Sequence, residues 1–292
     1  MSALLQAIWA GALFGSVYGL MAIGLTMIYG SLNLLNLAHG TLYVVGGYLA
    51  WTFLSSLQLP ILPAFVVGVA AAGATGAAMY FLVVRPMLER PGWDEASWIA
   101  TLGVALVIEN VALLVYGSQV KQLPSVVPGQ FNVQGVVITL QGAFVMGIAV
   151  LSLLLLNYFL RTSRHGLAIR AVSQHMVAAR LMGIQIRTIF LIVMCVSGAM
   201  AGLAGVLLTS ILYLSPTAGF LPMLKALIIT IFGGLGSVKG TIVAAYVIGL
   251  LEAFVQVYLG VGWSLPILFL FIIIVLILRP NGLFGLGETQ RL

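Results

Sequence analysis

The sequence has 292 residues, of which 62% are hydrophobic and only 6% charged, with a formal charge of +6. A soluble domain carries about a quarter charged residues, so this chain cannot cover its surface in water. The positive balance points to basic loops on one side of a membrane, and no basic stripe beside groove-reading elements marks a nucleic-acid binder. The composition therefore predicts an all-α polytopic integral membrane protein.

Nine apolar segments follow in chain order, and a hydrocarbon core needs about 20 apolar residues per helical span. They are Leu4–Tyr29, Leu37–Leu57, Ile61–Val84, Ser97–Tyr116, Ala143–Leu160, Thr188–Leu212, Phe220–Phe232, Thr241–Leu259 and Ser264–Leu278. The first has no basic n-region before it and reads as a mature span. The seventh is short, contains Lys225, and is either a full crossing or a broken, re-entrant segment, which leaves 8–9 spans. The 34 glycines suit helices that pack closely without a hydrophobic drive between them. Cys195 is the only cysteine, so neither an intrachain disulfide nor a cysteine metal cluster is available.

Loop charge sets the orientation. Arg161, Arg164, Arg170, Arg180 and Arg187 crowd one short loop, which marks it as cytoplasmic. Arg279 and Arg291 place the C-terminus on the same side, as do Arg85 and Arg90 for the loop after the third segment. The stretch 121–141 then lies outside together with the N-terminus. It is either a plain connector or a contact for an external partner.

The basic loop 161–187 carries helix punctuation. Ser173 is placed as an N-cap and Gly183 as the left-handed C-terminal residue, with Arg180 in the last turn. Val177, Ala178, Leu181 and Met182 share one side. Such a helix lies at the membrane surface, either as a lipid anchor or as a lever for a cytoplasmic motor. The chain has no phosphate loop of its own: Gly233–Gly240 is glycine-rich but lacks the spacing and the hydroxyl after the lysine. Any ATPase must be another chain. With three histidines, no H-E-x-x-H and no G-x-S-x-G, enzyme readings have little support.

Polar residues at membrane depth are the candidate path. Asn33, Asn36 and His39 lie between Gly30 and Gly40 in a linker without Lys or Arg. Either a broken helix lines a watery path there, or a tight cytoplasmic turn uses the asparagines as caps. Thr26, Tyr29 and Tyr43 supply neutral donors nearby. Gly233, Gly234 and Gly236 sit in a second glycine-bearing turn of similar setting, as in an internal repeat. Glu109, beside Asn110, and Glu252 fall inside spans, where ionisable groups face the bundle interior. Glu109-Asn110 is read as binding a substrate ammonium, binding a neighbouring helix or lying protonated against lipid, and each acid as a structural hydrogen bond or, in an ion-coupled secondary transporter, a proton site. Lys225 is placed to pair with one of them or to snorkel.

Gly24–Gly30, Asn36–Gly40, Arg164–Ala171, Ala201–Leu207, Phe232–Ser237 and Arg279–Gly285 follow one another along the chain. In content and order these stretches resemble the LivH-like branched-chain amino acid permease family of ATP-binding-cassette transporters. Ala178-Ala179-Arg180-Leu181-Met182-Gly183 is similar to the coupling loop of such permeases, although Val177 stands where a glutamate is usual. The resemblance implies one permease domain over residues 1–292 in a bacterial inner membrane. It implies a second, LivM-like permease, two cytoplasmic ATP-binding subunits and a periplasmic substrate-binding protein. Branched-chain or other hydrophobic amino acids are the implied cargo, with urea, short amides or another small solute as the alternative. No cofactor is expected in this chain, because ATP would be used by the partners.

Overall fold

A computed structural model describes residues 2–88, 92–133 and 135–285 of the chain. In chain order the elements are α1 (Ser2–Leu32), α2 (His39–Ser55), α3 (Ile61–Met79), a π-helical turn (Tyr80–Val84) and α4 (Arg85–Met87). After these come α5 (Trp93–Tyr116), strands β1 (Gln130–Val133) and β2 (Val136–Thr139), α6 (Leu140–Thr162), α7 (Arg164–Gln174) and α8 (Met176–Leu181). The chain continues through α9 (Ile186–Thr209), α10 (Phe220–Gly233), α11 (Val238–Tyr258), a 3-10 turn (Val261–Trp263) and α12 (Ser264–Leu278). Each apolar segment of the sequence forms a helix, and among the described residues seven helices are long and apolar enough to cross a membrane. The other two, α2 with 17 residues and α10 with 14, span roughly 25 and 21 Å, short of a hydrocarbon core of about 30 Å.

The helix α1 is apolar on every side and forms the centre of the bundle, with 89% of its most apolar stretch buried. It packs against α11, α9, α10 and α6, whereas α5 and α12 bury only 17% and lie at the periphery. Small residues set the crossings. A Cβ on Gly249 of α11 would fall 2.6 Å from the Cα of Gly15 on α1, and one on Gly46 of α2 would fall 2.5 Å from the Cα of Gly202 on α9. Backbones this close gain dispersion contacts over their whole length, the main source of helix association where lipid is as apolar as the side chains.

The third span changes register before Pro86. Proline has no N–H and its ring clashes with the preceding turn, so the helix loosens to i→i+5 bonding, with Arg85 N–H donating to the Tyr80 carbonyl. Arg90 and Arg291 lie outside the described residues.

The bundle has two unlike ends. One carries α7 and α8 with their arginines, exposed Lys239 at the start of α11, and the close of the chain near Arg279. At the other end, β1 and β2 pair antiparallel as a hairpin, with Gln130 opposite Thr139. Gln6 at the start of α1 clamps this hairpin, accepting from Val137 N–H at 3.0 Å and donating to its carbonyl at 3.4 Å. Gln141 ties the preceding loop down, accepting from Val126 and Val127 and donating to Ser210 Oγ at 2.7 Å.

Candidate functional site

The two short helices are the key to the interior. The chain leaves α1 at Leu32, and Asn33 takes a left-handed conformation (φ +54°) with its N–H on the Tyr29 carbonyl. Residues 34–38 then run back along α1. His39, the first residue of α2, has its Nε2 3.0 Å from the Met21 carbonyl. That carbonyl lies about eleven residues, or roughly 16 Å, back from the end of α1. The linker is therefore no tight turn at the bundle end. It re-enters, and α2 begins inside.

The helix α10 begins at the same level from the opposite direction. Leu214 packs on Gly47 near the middle of α2, and the chain then descends along α2 until Gly219 meets Gly40 backbone to backbone. The seventh segment is thus a broken crossing whose helical half starts inside the bundle. Two helix N-termini meet there, one running to each end. Free N–H groups and the macrodipole make such an end favourable to negative charge.

Polar atoms collect near this junction. A carbonyl only accepts, so His39 Nε2–H donates to Met21 and Nδ1 is left as an acceptor. Among the described residues His39 Nδ1, Asn36 Nδ2 and Ser197 Oγ are buried without a partner. Gly24 lies between the ring and the hydroxyl: a Cβ there would be 2.9 Å from both His39 Cε1 and Ser197 Oγ. Asn36 Oδ1 accepts from Ala38 N–H at 3.0 Å, an Asx turn that sets the chain just before α2. Leu37 N–H donates to Thr101 Oγ1 of α5 at 3.2 Å, which moors the linker to a second helix. Asn36, His39 and Gly40 are brought together in the interior, but Asn33 is exposed at the arginine end and stands apart from them.

Gly233, Gly234 and Gly236 form the second break, between α10 and α11. Gly234 (φ +98°) and Gly236 (φ +85°) have left-handed backbones that a Cβ would strain. This break touches the first helix directly: a Cβ on Gly30 would lie 3.1 Å from the Gly236 Cα. Residues 282–285 cover it from the other side. Leu283 N–H donates to the Phe232 carbonyl at 2.8 Å and Phe284 N–H to the Gly233 carbonyl at 3.2 Å. These bonds satisfy the last carbonyls of α10, which no residue inside the helix can reach. Sequence reading singled out both glycine-bearing stretches but not their contact, since no periodicity or charge signal links positions so far apart.

Three buried threonines join α1, α10 and α11 between the junction and this break. Thr26 and Thr241 hydroxyls are 2.7 Å apart, and Thr230 donates to the Ala22 carbonyl at 3.1 Å. Nearer the hairpin end, Lys225 on α10 lies 2.6 Å from Glu252 Oε1 on α11 and donates to the Tyr18 hydroxyl at 2.9 Å. Gln256 Nε2 donates to the same carboxylate oxygen at 2.8 Å. The pairing open to Lys225 is thus realised with Glu252, while Glu109 lies elsewhere, half-buried on α5.

The arginine-rich loop differs from its expected form. Two helices replace one, and Ser173 is not an N-cap: its hydroxyl donates to the Arg170 carbonyl within α7. Ser163 caps α7 by accepting from Gly166 N–H at 2.8 Å. His175 caps α8, its Nδ1 accepting from Ala178 N–H at 3.1 Å. The extended backbone of His175 (φ −157°, ψ 98°) breaks the helix there and aims the ring at the freed amides. Gly183 holds the expected left-handed position (φ +86°). Its N–H bonds the Arg180 carbonyl and that of Ile184 bonds Ala179, a Schellman closure. Ala179 is buried against the bundle, while Val177, Leu181 and Met182 are 62%, 83% and 84% exposed. Arg170 and Ala178 are exposed beside them, as is Arg180.

A bundle with half-helices meeting inside it, orphan polar atoms at their junction and a rigid basic loop at one end defines a polytopic membrane permease. The family model described as branched-chain amino acid transport system / permease component matches residues 7–278. The LivH permease protein of the high-affinity branched-chain amino acid transport system of Escherichia coli K12 is 30% identical over 302 aligned positions, which cover 98% of this chain and 97% of that protein. BraD of Pseudomonas aeruginosa, from a system of the same description, is 31% identical with the same coverage. A probable LivH of Methanocaldococcus jannaschii is 29% identical over 94% of this chain and 90% of its own length. The chain belongs to the branched-chain amino acid permease component family of ABC transporters.

Proposed function

We propose that this chain is the membrane-spanning permease subunit of an ABC importer for branched-chain or other hydrophobic amino acids. Under this reading the arginine end faces the cytoplasm of a bacterial inner membrane, as loop charge requires. A periplasmic binding protein delivers the solute to the hairpin end, and a second, LivM-like permease completes the passage. Two cytoplasmic ATP-binding subunits hydrolyse ATP, and no cofactor resides in this chain.

The observation that carries the reading is the α7–α8 unit at the arginine end. Its caps and Schellman closure make it rigid, Ala179 seats it, and Val177, Leu181 and Met182 stand out with nothing on them in this chain. An ATPase groove that takes this ridge, with Arg170, Ser173, Ala178, Arg180 and Gly183 around it, moves α7 and with it α1, against which α7 packs. At the same end of α1, Gly30 rests on Gly236, so the break at Gly233, Gly234 and Gly236 shifts with it. At the junction Asn36, His39 and Gly40 offer neutral polar groups to the passing solute. A permease of this kind needs two conformations of similar free energy, and its partners shift their populations.

The test is reconstitution. Proteoliposomes holding this chain, its partner permease and both ATPases, given leucine-loaded binding protein, are expected to accumulate [14C]leucine only when ATP is supplied. Isoleucine and valine should compete, and urea or acetamide should not. Uptake driven by a proton gradient in vesicles that hold this chain alone would replace the reading with a secondary transporter.

A further inference from the structure

A cavity of about 230 Å³ opens between α5 and the descending segment before α10, lined by Glu109, Asn110, Leu113, Ser118, Ser215, Pro216 and Thr217. It lies at the hairpin-end side of the junction, because Ser215–Thr217 lead within two residues to Gly219, which touches Gly40. Backbone bonds hold its wall: Lys121 and Leu214 exchange both N–H···O bonds at 2.8 Å, and Leu123 N–H donates to the Thr209 carbonyl at 3.1 Å. Glu109 is the only charged residue of the lining.

The placement of Glu109 needs a reason. The span Ala96–Tyr116 has a mean hydropathy of 2.1 and is mostly uncovered by the bundle. An ionised carboxylate facing lipid is expensive for a span, so such groups face protein or a watery cavity. Among the described residues Glu109 has no cationic partner, since Lys225 is engaged by Glu252. The Asn110 amide donates to the Leu106 carbonyl at 2.7 Å, within its own helix. The space is smaller than a drug-sized pocket of roughly 300–1,000 Å³ and suits one small solute.

We propose that this cavity is the first subsite inside the permease, that it takes the ammonium group of a zwitterionic amino acid, and that Glu109 supplies the counter-charge. The hydroxyls of Ser118, Ser215 and Thr217 face the polar end of the solute, and Leu113 and Pro216 its side chain. The next station is the junction, where two helix N-termini favour the carboxylate. This rests on the transport reading above and names its chemistry.

The experiment uses the complete transporter in proteoliposomes, with [14C]leucine and saturating binding protein. Glu109→Gln is expected to lower maximal uptake by about tenfold or more, the value of one charge-assisted hydrogen bond. Glu109→Asp should keep at least about a third of it, and Thr217→Val should cause a smaller, several-fold loss. Co-purification of all subunits with E109Q is read in parallel. Uptake by E109Q within about twofold of wild type overturns the proposal, because a charge-assisted contact is worth more than that. Loss of the partner permease from E109Q also overturns it, by assigning the carboxylate to the contact between permeases. Wild-type transporter that fails to move leucine strikes the transport reading itself, whatever E109Q does.

Discussion

Gly40, in the first turn of α2, and Gly219, at the entry to α10, touch backbone to backbone inside the bundle. A Cβ on Gly40 would lie 2.5 Å from the Gly219 carbonyl oxygen, and a Cβ on Gly219 would meet the Gly40 carbonyl. The contact holds two oppositely directed helix starts at one level. Gly40→Ala and Gly219→Ala should each force the helices apart. The expected loss is about 1–3 kcal/mol, in line with overpacking elsewhere in protein cores. It would appear as a lower Tm of the detergent-solubilised protein, and an unchanged Tm would contradict the geometry.

Lys225 and Glu252 are 14% and 3% exposed and form a buried ion pair. Removing one partner strands the other charge, so Lys225→Met should cost about 3–5 kcal/mol. The double variant Lys225→Met/Glu252→Leu should recover most of that, because two apolar side chains need no counter-charge. A double-mutant cycle on thermal or denaturant midpoints measures the coupling. A double variant that loses the sum of the Lys225→Met and Glu252→Leu single losses would show the two residues to be independent.

Leu181 and Met182 are among the most exposed apolar side chains of the chain. Leu181→Asp and Met182→Asp should leave folding intact, since neither side chain is packed. If an ATPase grips this ridge, each should cut ATP-driven uptake by about tenfold, the loss expected at a central contact. Ala179→Leu is the converse case, because it forces α8 off its seat and should lower stability. Full uptake by both aspartate variants would remove the ridge from the coupling contact.

Asn36 separates two roles in one side chain. Its Oδ1 closes the Asx turn before α2 through Ala38 N–H, and its Nδ2 has no partner among the described residues. Asn36→Ser keeps an oxygen able to close such a turn but removes the amide donor. The variant is expected to keep a Tm near wild type and to lose uptake several-fold. His39→Ala should lose both, since the ring fills the space beside Gly24 and donates to Met21. Normal uptake by N36S and H39A would take both residues out of the path.

Residues 282–285 give a further check. Gly282 is left-handed (φ +72°), and a Cβ on it would lie 2.6 Å from the Ile231 carbonyl. Gly282→Ala should lift the strap from the end of α10, with a cost of about 1–2 kcal/mol from the backbone alone. Faster hydrogen exchange at Leu283 and Phe284 is the local readout, and protection equal to wild type would refute the strap.

The sequence by itself determined the class of the molecule, its helical segments and its unlike ends. Those properties follow from composition and local order: apolar runs must be helices in lipid, and arginines cannot be dragged through it. Local chemistry also made Gly183 legible as a helix end, because only a residue without Cβ takes that backbone freely. It misplaced the cap at Ser173, since any serine before a helical pattern looks alike until the backbone shows that Ser163 and His175 hold the free amides. Tertiary structure alone decided that α2 begins level with Met21 and that α10 starts against Gly40. It also decided that Glu252 rather than Glu109 answers Lys225, and that Gly30 rests on Gly236. These are contacts between segments distant in the chain, and they depend on how helices stack in three dimensions, which no period of 3.6 residues records.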